Sequence, residues 1–206
     1  MKTLHYRRHS IKDGTVKDTI GLKGLKLARH EGGLLHDAGF PIHRLFHGPL
    51  VRTAQTALAF CQGLCGILPD VMPVVLEIGT DELFREMATE QFRVAVKAGM
   101  SNFYALQAAH PEDKIVQWMD HSQKGVQSMF DQMEDGETAI AFGHSPVIEL
   151  AALAYDAGEQ PVEKIVTGWD NLSDLEGLIF EGAFLEGQKG LIAVTRKISV
   201  AKDAKA

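Results

Sequence analysis

Short apolar segments alternate with stretches of helical period along most of this chain. That alternation constrains its fold more than any other feature. Residues 2–7, 43–47, 71–76 and 137–143 are compact runs of strand length, and the segments between them carry apolar residues every three or four positions. Residues 21–38 predict a helix with an apolar stripe through Leu22, Leu25, Ala28 and Leu35, closed by Gly39 and Pro41. The clearest stripe, through Leu50, Ala54, Ala57, Leu58, Cys61, Leu64 and Cys65, follows Gly48-Pro49. Proline suits the first turn of a helix, where its missing N–H would have no partner. Ser145-Pro146 repeats that pattern as an N-cap and a first-turn proline, ahead of a helix to about 157. Leu178-Ile179-Phe180 and residues 191–194 predict two late antiparallel strands.

Such alternation builds an α/β domain with helices on both faces of its sheet. The expected architecture is a three-layer αβα sandwich on a mostly parallel sheet. Residues 1–206, 45% of them apolar, suffice for one domain with a sizeable core. Residues 81–135 break the alternation, because they contain no convincing strand. Ile115, Met119, Val126, Met129, Phe130 and Met133 mark a long helix there, and 82–109 holds one or two more. A helical insertion of this length either thickens the core or caps a site.

Charge and motif content narrow the function classes. A formal net charge of -6 argues against general nucleic-acid binding, which favours a basic face. The first eight residues reach charge too early for a signal peptide, and no apolar run is long enough to span a bilayer. A cytoplasmic location is expected, with neither nucleic acid nor membrane as partner. Cys61 and Cys65 lack a second ligand pair for zinc and suit reduced thiols on a buried helix face. His43 and His47 are also four apart, but His43 falls in a strand, so they share no helical face. The chain has no His-Glu-x-x-His, Gly-x-x-x-x-Gly-Lys or Gly-x-Ser-x-Gly motif. No metal or cofactor is expected. Trp118 and Trp169 suit buried packing, and residues 200–206 a frayed polar tail.

In open α/β sheets, ligands bind beyond the carboxyl ends of the strands. Three apolar runs here end in chemistry-bearing residues: the first at Arg8-His9, the second leading through His47-Gly48-Pro49 to Arg52, the late one at Gly143-His144-Ser145. Each alone is an ordinary strand end, and the combination carries the weight. Leu4-His5-Tyr6-Arg7-Arg8-His9-Ser10, then Gly48-Pro49-Leu50-Val51-Arg52-Thr53-Ala54-Gln55-Thr56-Ala57, then Ala139-Ile140-Ala141-Phe142-Gly143-His144-Ser145 resemble, in order, the signatures of the histidine phosphatase superfamily, also called phosphoglycerate-mutase-like. Residues 20–28 are similar to that family's Leu-Thr-x-x-Gly-x-x-x-Ala helix start. The Arg-Thr-Ala-Gln-Thr-Ala run is the most specific of these matches. Ser10 stands where the family usually has Gly, and Gly48 where it usually has Ser.

The resemblance implies a phosphoryl-transfer pocket with His9 as nucleophile, and Arg8, Arg52, His144 and Ser10 as phosphate contacts. The residue types suit it. Phosphoryl transfer is mostly positioning and electrostatic stabilisation, and Arg pairs planar donors with phosphate oxygens at any working pH. His9 must attack as neutral imidazole, with its other nitrogen donating to a backbone carbonyl. The family's larger branch takes its proton donor from a Glu after an apolar strand, which Val75-Leu76-Glu77 fits; Asp81 and Glu82 compete with Glu77. Glu82, Arg85 and Arg93 are charges in reach of a substrate or simply a solvated face. The implied activity is a metal-independent phosphatase acting on a phosphorylated small molecule or phosphoprotein, including phosphohistidine. Phosphoglycerate mutase-type transfer and a non-catalytic phosphate- or phosphoprotein-binding module are the alternatives.

Overall fold

The computed structural model describes residues 1–16, 18–65, 74–75, 86–156, 172–183 and 191–198. Along the chain these form β1 (Lys2–Arg8), α1 (Leu22–Asp37), β2 (Arg44–His47), α2 (Val51–Cys65), β3 (Val74–Val75), α3 (Glu90–Lys97), α4 (Asn102–Ala109), α5 (Glu112–Asp131), β4 (Thr138–Gly143), α6 (Val147–Asp156), β5 (Gly177–Ala183) and β6 (Leu191–Ile198). The strands make one mixed sheet in the order β3-β2-β4-β1-β5-β6. β1 to β4 run parallel, and the late pair β5 and β6 is antiparallel, as expected. The expected strand over 71–76 appears as Val74–Val75, and its flanks lie outside the described residues.

Strand pleating decides which residue faces which helices, because successive side chains point to opposite sides. In β4, Ala139 and Ala141 join an apolar cluster with Leu4, Tyr6, Leu106, Phe130 and Ile148, from β1, α4, α5 and α6. Ile140 and Phe142 join a second cluster with Leu27, Ala57, Phe60 and Cys61, from α1 and α2. Trp118 is buried in the first cluster, as its composition suggested, whereas Trp169 lies outside the described residues. Cys61 is a buried free thiol, and nothing is described of the Cys65 side chain.

The α1 stripe differs from expectation. Leu22 and Leu25 are 69% and 39% exposed, while Gly24, Leu27, Ala28, Glu31 and Gly32 are buried. The buried face is chosen by size rather than hydropathy. A Cβ on Gly24 would strike the Ile11 carbonyl, one on Gly32 the Phe60 carbonyl, and one on Gly63 of α2 the Arg29 carbonyl. The two helices approach at backbone contact, which glycine alone allows. In α2, Ala57 and Cys61 are buried as expected, but Leu58 is exposed.

Register then positions the functional ends. Arg8 pairs with Gly143, and His47 with Phe142, so β1, β4 and β2 finish side by side. The His9 N–H donates to the Gly143 carbonyl at 3.0 Å and the Gly48 N–H to the Phe142 carbonyl at 3.0 Å, which fixes both departing loops to β4.

Candidate active site

Beyond those strand ends lies a cleft of about 360 Å³. Arg8, His9, Arg52 and His144 all line it. The four residues that the sequence spreads across 137 positions therefore meet in one place.

His9 is almost wholly buried. Its Nδ1 lies 2.7 Å from the Ser10 carbonyl oxygen, which can only accept, so Nδ1 carries the proton and Nε2 the lone pair. Its ring centroid is 4.9 Å from that of His144, with the planes at 60°. Burial pushes the His9 pKa down to about 3; the Ser10 carbonyl opposes this, and the Arg52, Arg8 and Lys12 charges reinforce it. The imidazole is thus neutral at ordinary pH, the form that can attack. His144 is also held well below its usual range, first by burial, then by His9 and the same cations.

The arginines are held differently. Arg52, on the first turn of α2, donates from Nη1 to Asp18 Oδ1 at 2.7 Å. Arg8 donates from Nη1 to the Leu172 carbonyl. The surrounding Arg-Thr-Ala-Gln-Thr-Ala run is explained by what its polar side chains tie down. Thr53 Oγ1 donates within reach of both the Gly48 and Leu50 carbonyls, at 2.7 and 2.6 Å. Gln55 Oε1 accepts from the Ile20 N–H at 2.9 Å, and Thr56 Oγ1 from the Ser10 N–H at 3.1 Å. The run staples the β2–α2 turn and the loop after His9 to one helix.

No protein-family model matches the sequence, and no curated protein does. Solved structures do match over nearly the whole chain. The Entamoeba histolytica phosphoserine phosphatase in complex with 3-phosphoglyceric acid is 18% identical, with 100% of both chains covered and a TM-score of 0.57. A mycobacterial glucosyl-3-phosphoglycerate phosphatase is 12% identical, with 95% of this chain and 98% of that one covered and a TM-score of 0.63. The ecdysone phosphate phosphatase from Bombix mori, in complex with tungstate, is 18% identical over 88% of this chain and 90% of that one, with a TM-score of 0.55. The chain shares its fold with these phosphatase structures.

Within this shared fold, not every expected residue lines the cleft. Ser10 is held away from the cleft. It is fully buried, its hydroxyl donates to the Gly24 carbonyl at 2.8 Å, and its N–H donates to Thr56. Both donors are committed to structural acceptors, and Ser10 is not part of the cleft wall. Glu77, with its competitors Asp81 and Glu82, lies outside the described residues, as does Arg85. Arg93 does line the cleft, largely exposed and 3.8 Å from Glu90.

Sequence reasoning missed three residues at the site. Lys12 lines the cleft three positions after His9, and its pKa is lowered by burial and by Arg52 and Arg8. Asn102, at the start of α4, donates from Nδ2 to Ser145 Oγ at 2.6 Å. Ser145 Oγ lies 2.5 Å from Glu149 Oε1. Glu149 had a legible signal: it is the one charged residue in α6 before Asp156. Among the described residues, no cluster of three or more His, Cys, Asp or Glu side chains is placed to hold a metal ion.

Proposed function

We propose that this protein is a phosphatase that hydrolyses a phosphomonoester or a phosphohistidine through a phosphohistidine intermediate on His9, without a metal ion. The observation that carries this reading is the state of His9. It is a buried, neutral imidazole with Nδ1 tied to a carbonyl, set among Arg8, Arg52 and Lys12 in one cleft. The comparison structures are phosphatases, which supports the reaction class.

Arg8 and Arg52 hold the phosphoryl oxygens, each charge-assisted hydrogen bond being worth roughly 1.5–3 kcal/mol. His9 Nε2 attacks phosphorus as the bond to the leaving oxygen breaks. His144 donates to the transferring oxygens, and the arriving dianion raises its pKa toward that task. Water then hydrolyses the phosphohistidine. Glu77 is the sequence-based candidate for protonating the leaving oxygen, with Asp81 and Glu82 as alternatives. Residues 81–135 form a helical cap within a single domain over 1–206. Met87, Phe92, Arg93 and Asn102 on the cleft wall support this. The two helix sets are the outer layers of a three-layer αβα sandwich.

Assay of a generic aryl phosphate in the presence of a chelator tests the proposal. His9→Ala should lose hydrolysis by on the order of 10⁴-fold or more and keep the wild-type circular dichroism spectrum. Persistent activity in that folded variant would overturn it.

A further inference from the structure

The reaction as drawn leaves one buried titratable group unused. Glu149 sits in the first turn of α6, 4% exposed, in a helix otherwise apolar as far as Tyr155. Burying a carboxylate is unfavourable unless a partner compensates. Burial raises the Glu149 pKa to about 7, against the opposing effects of the Ser145 hydrogen bond, nearby backbone and the Arg8 charge. From β1 it is faced by Arg8 and by Tyr6, whose own pKa burial pushes up. Its side-chain hydrogen bond runs to Ser145, and Ser145 and Asn102 both line the cleft that holds His9.

A serine hydroxyl has one hydrogen to donate and two positions at which to accept. Asn102 fills one acceptor position at 2.6 Å. When Glu149 carries a proton it fills the other, across the 2.5 Å contact. The Ser145 hydrogen is then free to point at a ligand in the cleft. When Glu149 is ionised, that same hydrogen turns back to the carboxylate, and the cleft loses a donor.

We propose that Ser145, supplied by Glu149, delivers the proton to the leaving oxygen during phosphoryl transfer to His9. Ser145 is the catalytic residue and Glu149 the positioning residue and proton reservoir behind it. As the His9 Nε2–phosphorus bond forms, the bond from phosphorus to the leaving oxygen breaks and its electron pair stays on that oxygen. Ser145 passes its hydrogen to the oxygen and takes the Glu149 proton in exchange. The products are the free alcohol, phosphohistidine and a Glu149 carboxylate. In the second half, the attacking water gives a proton back along the same path, which restores Glu149. The inference rests on the His9 reading.

The test compares an alkyl phosphate, whose alkoxide cannot leave unprotonated, with 4-nitrophenyl phosphate, whose phenolate can. Ser145→Ala and Glu149→Gln should each lower kcat on the alkyl phosphate by roughly 10²–10⁴-fold, with a loss roughly tenfold smaller or less on the nitrophenyl ester. Wild-type kcat on the alkyl phosphate should fall as pH rises through about 7, where Glu149 loses its proton, and Glu149→Gln should lack that limb. A merely structural role would lower both substrates together, and that result overturns the proposal. So does selective loss in Glu77→Gln with Ser145→Ala unaffected. Failure of the His9 reading looks different: His9→Ala would then hydrolyse both esters as wild type does.

Discussion

Arg7 and Arg8 are neighbours at the end of β1, and pleating sends them to opposite sides of the sheet. Arg7 lies on the α1–α2 side, 3% exposed, with Nη1 3.3 Å from Glu31 Oε2 and its guanidinium 5.7 Å from the centre of the Phe60 ring. Burial lowers its pKa, and Glu31 opposes that fall. Arg8 lies on the cleft side and spends a donor on a neutral carbonyl, that of Leu172. A carboxylate cancels the charge of Arg7 within the protein. A carbonyl cancels nothing, so the Arg8 charge still acts on its surroundings, and His9 is among the groups it depresses. The same side chain thus holds a helix to the sheet on one face and lines the cleft with its charge on the other. The partner that the fold supplies makes the difference.

Breaking each side should give opposite phenotypes. The largest effect is expected on the packed side. Glu31→Ala strands a buried guanidinium and should cost about 3–5 kcal/mol in urea unfolding, with little change in kcat/KM of the folded protein. Replacing the pair together, Arg7→Met with Glu31→Leu, should recover most of that loss. On the cleft side, Arg8→Ala or Arg52→Ala should lower kcat/KM by roughly 10- to 150-fold, the equivalent of about 1.5–3 kcal/mol. The unfolding midpoint should move far less. The smallest effect is expected at Leu22, which the α1 stripe placed in the core and the structure leaves 69% exposed. Leu22→Ala should change stability by no more than about 0.5 kcal/mol, read from the same urea curves.

Those contrasts mark where the sequence was legible. The strand ends could be read because their information is local. An apolar run stops at Arg8-His9 or Gly143-His144, and parallel pairing then brings the ends together. Helices such as α2 and α5 announce themselves by period. The α1 face could not be read that way, because Gly24 and Gly32 are selected by backbone clearance, which hydropathy does not record. Arg7 and Arg8 are indistinguishable until Glu31 is placed, 24 residues on. The orientation of Ser10 depends on Gly24 and Thr56, and the Asn102–Ser145 contact joins residues 43 apart. Such polar contacts leave no periodic trace, and they decide which side chains face a ligand.

The central claim is that His9 takes the phosphoryl group. Rapid mixing with a phosphomonoester labelled in the phosphoryl group, followed by an alkaline quench, tests it directly. Label should appear on the protein within the first turnover, survive alkali, be lost in acid, and map to the peptide containing His9; His9→Ala should carry none. Turnover with no protein-bound label, or equal labelling of the His9→Ala variant, would contradict the account.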